Sequence, residues 1–336
     1  MFAKHVCQDA CSGVCSQCLA NASDRVQTAA LAVDERKILE LEIDRFAAAI
    51  RWPDEPDEQA AIGGAARALI RDTLPHVSQL LRQAKNGKLD ALYITGLPTD
   101  EVRAQLALLG MSRELGMLFN YSSQNEGRLI MELRPLQESA ANTNSTRDEF
   151  DIHTDDAAMP REARTEFINL YGIQNPPGTL TSYSPVGDAL LSLDREHKEV
   201  LSEPRFRVRF PISFGVGTDR WSQPCAIVTR GPSNEFELRF PSYATRPIAS
   251  DDTLAAAALV ALKTALNQRA VGMPLDPGCF LTFNNLRGAH KRGAIGSGDR
   301  LVFRTYSVRS LELLRKVTGQ PGPIFPVDPF VTSLTD

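Results

Sequence analysis

At about residue 127 the hydrophobic period of the chain changes, and this limits the fold more than any single motif does. Before it, apolar residues recur at helical spacing: Ile38, Leu41, Ile43, Phe46 and Ile50 lie along 35–51. Pro53 and Pro56 stop that run. A second helical stretch covers about 60–85, and Ala91-Leu92-Tyr93-Ile94 reads as a short strand. Thr99-Asp100-Glu101 opens a third helix, to about Phe119, with acids in the first turn where the helix dipole favours them. After residue 127 strands dominate: 128–134, 166–174, 179–185, 205–214, 224–230, 235–240, 278–284 and 300–308. Two helices, 187–202 and 252–270, interrupt them, and Gly231-Pro232-Ser233-Asn234 is hairpin turn chemistry. Helices grouped ahead of short strands predict a mainly β fold with supporting α, a β-barrel or jelly roll packed on an N-terminal helical region. The expected organisation is a cysteine-containing tail (1–34) and one domain over 35–336. That domain divides into helical support (35–126), barrel (127–316) and a C-terminal tail (317–336).

Composition excludes several classes. With 43% hydrophobic residues over 336 positions, the chain can offset the entropy of ordering itself. A net charge of −4 provides no global positive field, so neither nucleic acid nor an acidic membrane is an expected partner. No apolar run approaches the roughly 18 residues of a membrane span. The first residues, Met1 to Asp9, lack the apolar core of a secretory signal, so the expected location is cytoplasmic. Oligomeric state is not legible. Cys7, Cys11, Cys15 and Cys18 crowd the N-terminus. A zinc site with His5 and an iron–sulfur cluster are the alternatives there to a plain polar tail.

Of five histidines, His5, His76 and His197 sit in a tail or on helical faces, whereas His153 and His290 have distinctive surroundings. In extended chain, residues two apart share a face, so His153 and Asp155 of His153-Thr154-Asp155 can grip one ion. His290, after the strand ending near Asn284, can complete a set of two histidines and one carboxylate. Such a set holds Fe(II) on one face and leaves three octahedral positions open. Strand alternation then places Arg300, Val302, Arg304 and Tyr306 on one face, with Leu301 and Phe303 on the other. An arginine in mid-strand needs an anion. A dicarboxylate cosubstrate would supply one, and an internal salt bridge is the alternative.

With these residues in view, the chain resembles the Fe(II)/2-oxoglutarate dioxygenases of the clavaminate synthase and taurine dioxygenase type, with the greatest likeness to asparagine and arginine hydroxylases of antibiotic pathways. The resemblance rests on Gly127 to Pro135, Phe150 to Asp155, Thr179 to Val186, Leu201 to Arg207, Phe283-Asn284-Asn285 and the His290…Arg304 segment. It implies a double-stranded β-helix, a jelly-roll or cupin-like barrel. It gives His153, Asp155 and His290 the iron, and Arg304 and Thr181 the distal carboxylate of 2-oxoglutarate. With O2 as the second cosubstrate, it implies hydroxylation of an unactivated C–H; desaturation, epoxidation and cyclisation are the alternatives within the chemistry. A metal-binding jelly-roll protein without oxygen chemistry is the alternative of another class.

The departures from the family pattern concern substrate. Arginine hydroxylases of this type carry a strand glutamine where this chain has Met131, and acids in a loop that here, Phe240 to Pro247, has none before Asp251. The expectation is a small neutral amino acid or derivative, such as a cyclic dipeptide, from specialised metabolism. Its pocket is expected to be bounded by Met131, Asp156, Tyr243, Arg246 and Arg309, under a polar lid over about 137–147.

Overall fold

Residues 24–50, 55–136, 143, 145–217 and 219–332 are described by the structure, a computed structural model. The N-terminal part comprises β1 (Val26–Ala30), α1 (Val33–Ala49), α2 (Pro56–Thr73), α3 (Pro75–Lys85), β2 (Ala91–Thr95), α4 (Glu101–Leu115) and β3 (Met117–Tyr121). Proline opens α2 and α3, where its missing N–H has no partner to lose. The Asp100 carboxylate caps α4 by accepting from the Val102 and Arg103 amides. Next come β4 (Met131–Leu133), β5 (Phe150–His153), β6 (Phe167–Gln174), β7 (Leu180–Pro185), α5 (Val186–Leu190), α6 (Arg195–Leu201), β8 (Phe206–Val208), β9 (Val228–Arg230), β10 (Phe236–Leu238) and β11 (Thr245–Pro247). The chain continues through α7 (Thr253–Arg269), β12 (Val271–Pro274), β13 (Phe280–Asn284), β14 (Gly288–Arg292), β15 (Leu301–Val308), α8 (Glu312–Thr318), β16 (Ile324–Phe325) and α9 (Asp328–Thr332).

Two sheets face each other. The major one runs β1-β2-β13-β6-β15-β3-β16, with β4 also on β15; the minor one runs β12-β7-β14-β5. Met131, Ile168, Leu170, Tyr183, Met273, Phe283, Val302 and Tyr306 from both sheets share the barrel core. A second core joins the outer face of the major sheet, through Leu92, Phe167, Tyr171, Leu301 and Phe303, to helices α1 to α4. A third packs α5 to α7 against Ile152 and Ala289 on the far side of the minor sheet. The alternation in β15 is therefore as expected: Val302 and Tyr306 enter the barrel, whereas Leu301 and Phe303 meet the helices. This is the jelly-roll barrel with helical support that the change of period predicts.

Several boundaries differ. Within the expected tail 1–34, Val26–Ala30 is a strand, paired in parallel with β2 and held by the Arg25–Asp90 ion pair at 2.7 Å. Five residues rich in Ala and Thr give no readable alternation; pairing makes this segment a strand. The helix expected to reach Phe119 ends at Leu115, and Met117–Tyr121 joins β15 instead. Gly116 permits the change, because a Cβ there would lie 2.5 Å from the Val308 carbonyl oxygen. The expected C-terminal tail contributes β16, which pairs with β3. The helix expected over 187–202 is two, α5 and α6. The strand that carries His290 was expected only as chain following a strand. The N-terminal cysteines and most of the polar segment 137–147 lie outside the described residues. Among the described residues, no helix is long and apolar enough to cross a membrane.

Candidate active site

β5 and β14 are adjacent and antiparallel, with His153 and His290 as direct register partners. Their rings lie 4.1 Å apart, and Phe150 stacks on His153 at 4.0 Å. The His153 Nδ1 is 2.7 Å from the Asp151 carbonyl oxygen. A carbonyl only accepts, so Nδ1 carries the proton and the Nε2 lone pair is free to bind a cation. Asp155 follows the end of β5, and Asn285 fixes its backbone: Asn285 Oδ1 accepts the Asp155 amide at 2.8 Å, and Asn285 Nδ2 donates to the Asp155 carbonyl at 3.1 Å. Asp155 Oδ1 lies 3.2 Å from His153 Nε2 and 3.7 Å from His290 Nε2. One ligand atom from each of the three residues falls within 4.8 Å of the others.

The electrostatics suit a divalent cation. Burial, with His153 beside it, holds the His290 imidazole well below its usual value and hence neutral. Burial alone would raise Asp155, but the neighbouring His153 ring, His290 and Arg304 outweigh it and keep the carboxyl well below its ordinary range. A buried nitrogen on each ring, His153 Nε2 and His290 Nδ1, has no hydrogen-bond partner among the described residues. Two imidazoles, one carboxylate and orphaned buried ring nitrogens form a donor set that fits a metal.

Arg304 is 5% exposed on β15. Its Nη1 is 3.5 Å from Asp155 Oδ2, its Nη2 is 3.3 Å from the Met131 sulfur, and its buried Nε has no hydrogen-bond partner among the described residues. Such long contacts leave the guanidinium able to take an anion. A recess beside the histidines is lined by Thr181, Arg292, Arg300 and Arg304 together with both rings. The expected pair Arg304 and Thr181 is thus brought to one place.

On the other side of Arg304 lies a cavity of about 360 Å³. Asp156 and Tyr243 line it, as expected; Met131, Arg246 and Arg309 do not. Met131 is fully buried opposite Arg304 in the β4–β15 register, with its sulfur against the guanidinium. Arg309 lies just past the end of β15 and pairs with Glu166 at 3.1 Å. Arg246 lies over the Trp221 ring at 3.8 Å. Gln124, Arg209 and Tyr306 line the cavity without having been expected to. The parity that placed Arg304 also covers Tyr306; Arg209 carries no such signal, because Val208, Arg209 and Phe210 all line the cavity in succession. Asp156 has φ +57° and accepts from the Thr165 amide at 3.2 Å. Burial, then Asp155 beside it, pushes its carboxyl up to about 7.

The family model described as "Taurine catabolism dioxygenase TauD, TfdA family" matches residues 64–306, the span that holds the triad and Arg304. The chain belongs to the TauD/TfdA dioxygenase family. Its expected class, an oxidoreductase that works with iron and 2-oxoglutarate, follows from that membership. Among solved structures, the dioxygenase is similar to asparagine oxygenase in complex with Fe(II), 2S,3S-3-hydroxyasparagine and succinate. The two share 20% identity and a TM-score of 0.79 over 89% of this chain and 98% of that one. It is also similar to the non-heme iron oxygenase OrfP in complex with Fe and alpha-ketoglutaric acid, at 20% identity and TM-score 0.76 over 90% and 99%. These likenesses establish the double-stranded β-helix fold of the dioxygenase.

Proposed function

We propose that this dioxygenase hydroxylates an unactivated C–H of a small, neutral, amino-acid-derived molecule, with His153, Asp155 and His290 as ligands of Fe(II). The observation that carries this reading is the convergence of that triad with Arg304 and Thr181 beside a cavity of about 360 Å³. When bound, iron and 2-oxoglutarate supply the oxidising chemistry: O2 is consumed, 2-oxoglutarate becomes succinate and CO2, and a C–H becomes C–OH. Arg304 and Thr181 hold the distal carboxylate of 2-oxoglutarate, the arginine by charge and the hydroxyl by a hydrogen bond. Arg304 also lines the cavity and so sits between cosubstrate and substrate. Phe150, Ala157, Phe210 and Tyr243 give that cavity apolar walls that exclude water, and Gln124 and Asp156 provide polar contacts that orient the substrate. The unit that performs this chemistry is one domain, which includes β1 and β16 because both are strands of the barrel's major sheet.

Anaerobic titration with Fe(II) and then 2-oxoglutarate should produce a weak visible charge-transfer band. His153→Ala should abolish the band, and Arg304→Gln should move its midpoint to higher 2-oxoglutarate. No band in the unaltered protein would reject the cofactor reading. Substrate class is tested by succinate release over a panel of free Arg, Lys, Asn and Leu against cyclic dipeptides and N-acylated amino acids. Efficient coupled hydroxylation of free arginine or lysine would contradict the neutral substrate.

A further inference from the structure

Along one edge of the cavity the chain gathers positive charge with which no acid among the described residues forms an ion pair. In the pairing of β8 with β11, Arg207 and Arg246 are direct register partners, a like-charge arrangement that disfavours the pair. Both guanidiniums lie over one indole: Arg246 is 3.8 Å and Arg207 5.2 Å from the centroid of the Trp221 ring. The ring attracts cations but carries no charge to cancel them. Arg209, two residues along and on the same side as Arg207, bridges to Trp221 and lines the cavity. Among the described residues, no carboxylate lies within 4.0 Å of Arg207, Arg209 or Arg246, and the buried Nε of Arg207 has no hydrogen-bond partner. The adjacent acid, Asp219, is engaged by the Trp221 Nε1 at 2.8 Å. Arg205 offers the contrast: on the same strand face it is neutralised by Asp252 at 2.7 Å and Glu203 at 3.4 Å. Arg209 lines the cavity itself, and Arg207 and the exposed Arg246, each two residues from a lining residue (Arg209 or Ala244), sit at its rim.

We infer that Arg207, Arg209 and Arg246, gathered around Trp221 at the cavity's edge, form an anion subsite for a carboxylate or phosphate borne by the substrate, whose remainder fills the cavity. This deepens the proposed function, since it rests on the cavity being the substrate site. It makes one anionic group part of an otherwise uncharged substrate, and it gives Arg246 a role at the rim.

The test uses the full chain with Trp52→Phe, which leaves Trp221 as its one tryptophan. Indole fluorescence is followed while inorganic phosphate or acetate replaces chloride at constant ionic strength. A saturable change is expected, with phosphate alone pointing to a phosphate ester and acetate as well pointing to a carboxylate. Arg246→Gln, and Arg207→Gln with Arg246→Gln, should weaken it by about tenfold or more, as expected when charge-assisted contacts are removed. The charge-transfer band with iron and 2-oxoglutarate should remain, which separates this inference from the cofactor reading. In the succinate assay, Arg209→Gln should raise KM for an acid but not for its amide. A response no different from chloride, or one unchanged in the double variant, would overturn the subsite even if the band forms.

Discussion

The Tyr306 hydroxyl donates to Asp155 Oδ2 at 2.7 Å, while Asp155 Oδ1 is the oxygen that faces both histidines. Arg304 approaches the same Oδ2 at 3.5 Å. With Oδ2 engaged on both sides, Asp155 has one oxygen to offer a cation, which favours one-point ligation and leaves the open face clear. Burial, then Asp155 and Asp156 nearby, push the Tyr306 hydroxyl well above its ordinary value, so the phenol remains a donor.

Tyr306→Phe should therefore weaken Fe(II) or Mn(II) binding by about 10- to 100-fold, the usual effect of removing a partner of a metal ligand. The fold should lose only about 1 kcal/mol, one hydrogen bond. Metal titration by calorimetry beside urea unfolding separates the two; unchanged affinity would show that Tyr306 does not position Asp155.

Loading the site should stabilise the protein by mass action. Mn(II) and 2-oxoglutarate at about 100 times their Kd should each add roughly 2.7 kcal/mol, visible as a rise in Tm. Chelation should reverse it. His153→Ala should lose both increments, whereas Arg304→Gln should keep the metal step and lose most of the second.

The site was more legible in the sequence than the fold's boundaries, for a physical reason. His153, His290 and Arg304 are titratable groups on strands and Asp155 lies two residues past one, and histidines are so few in this chain that their types and spacing stand out. β1, β3 and β16 are short, and pairing partners far along the chain make them strands, which no local period records. Of the expected pocket residues, Asp156 and Tyr243 line the cavity, whereas Arg309 lies off it for a similar reason. Arg309 follows the last residue of β15, and which side it takes depends on where the strand stops.

Glu114 should be a sensitive point in the helical support. Its carboxylate is fully buried, paired with Arg67 and accepting from Ser78 at 3.1 Å, with Arg82 at 3.4 Å and Arg71 at 3.6 Å. Glu114→Ala removes the buried anion that three partly solvated arginines share and should cost about 1–3 kcal/mol. Glu114→Gln, which keeps the shape and one acceptor, should cost less. Urea denaturation reads both.

Truncation tests where the domain begins. A chain starting at Asp24 keeps β1 and the Arg25–Asp90 pair, whereas one starting at Val33 loses both and exposes the edge of β2. The second should melt several degrees lower, by about 4–8 °C per kcal/mol for a small domain and less for one this long. Equal melting would return β1 to the status of a tail.

His153 and His290 face each other as one register pair across β5 and β14. A slip of a single residue would turn one imidazole to the opposite side of the sheet. Strand register and metal grip are therefore one property of this barrel: a misaligned chain, with one imidazole where two are needed, would hold a redox-active ion weakly.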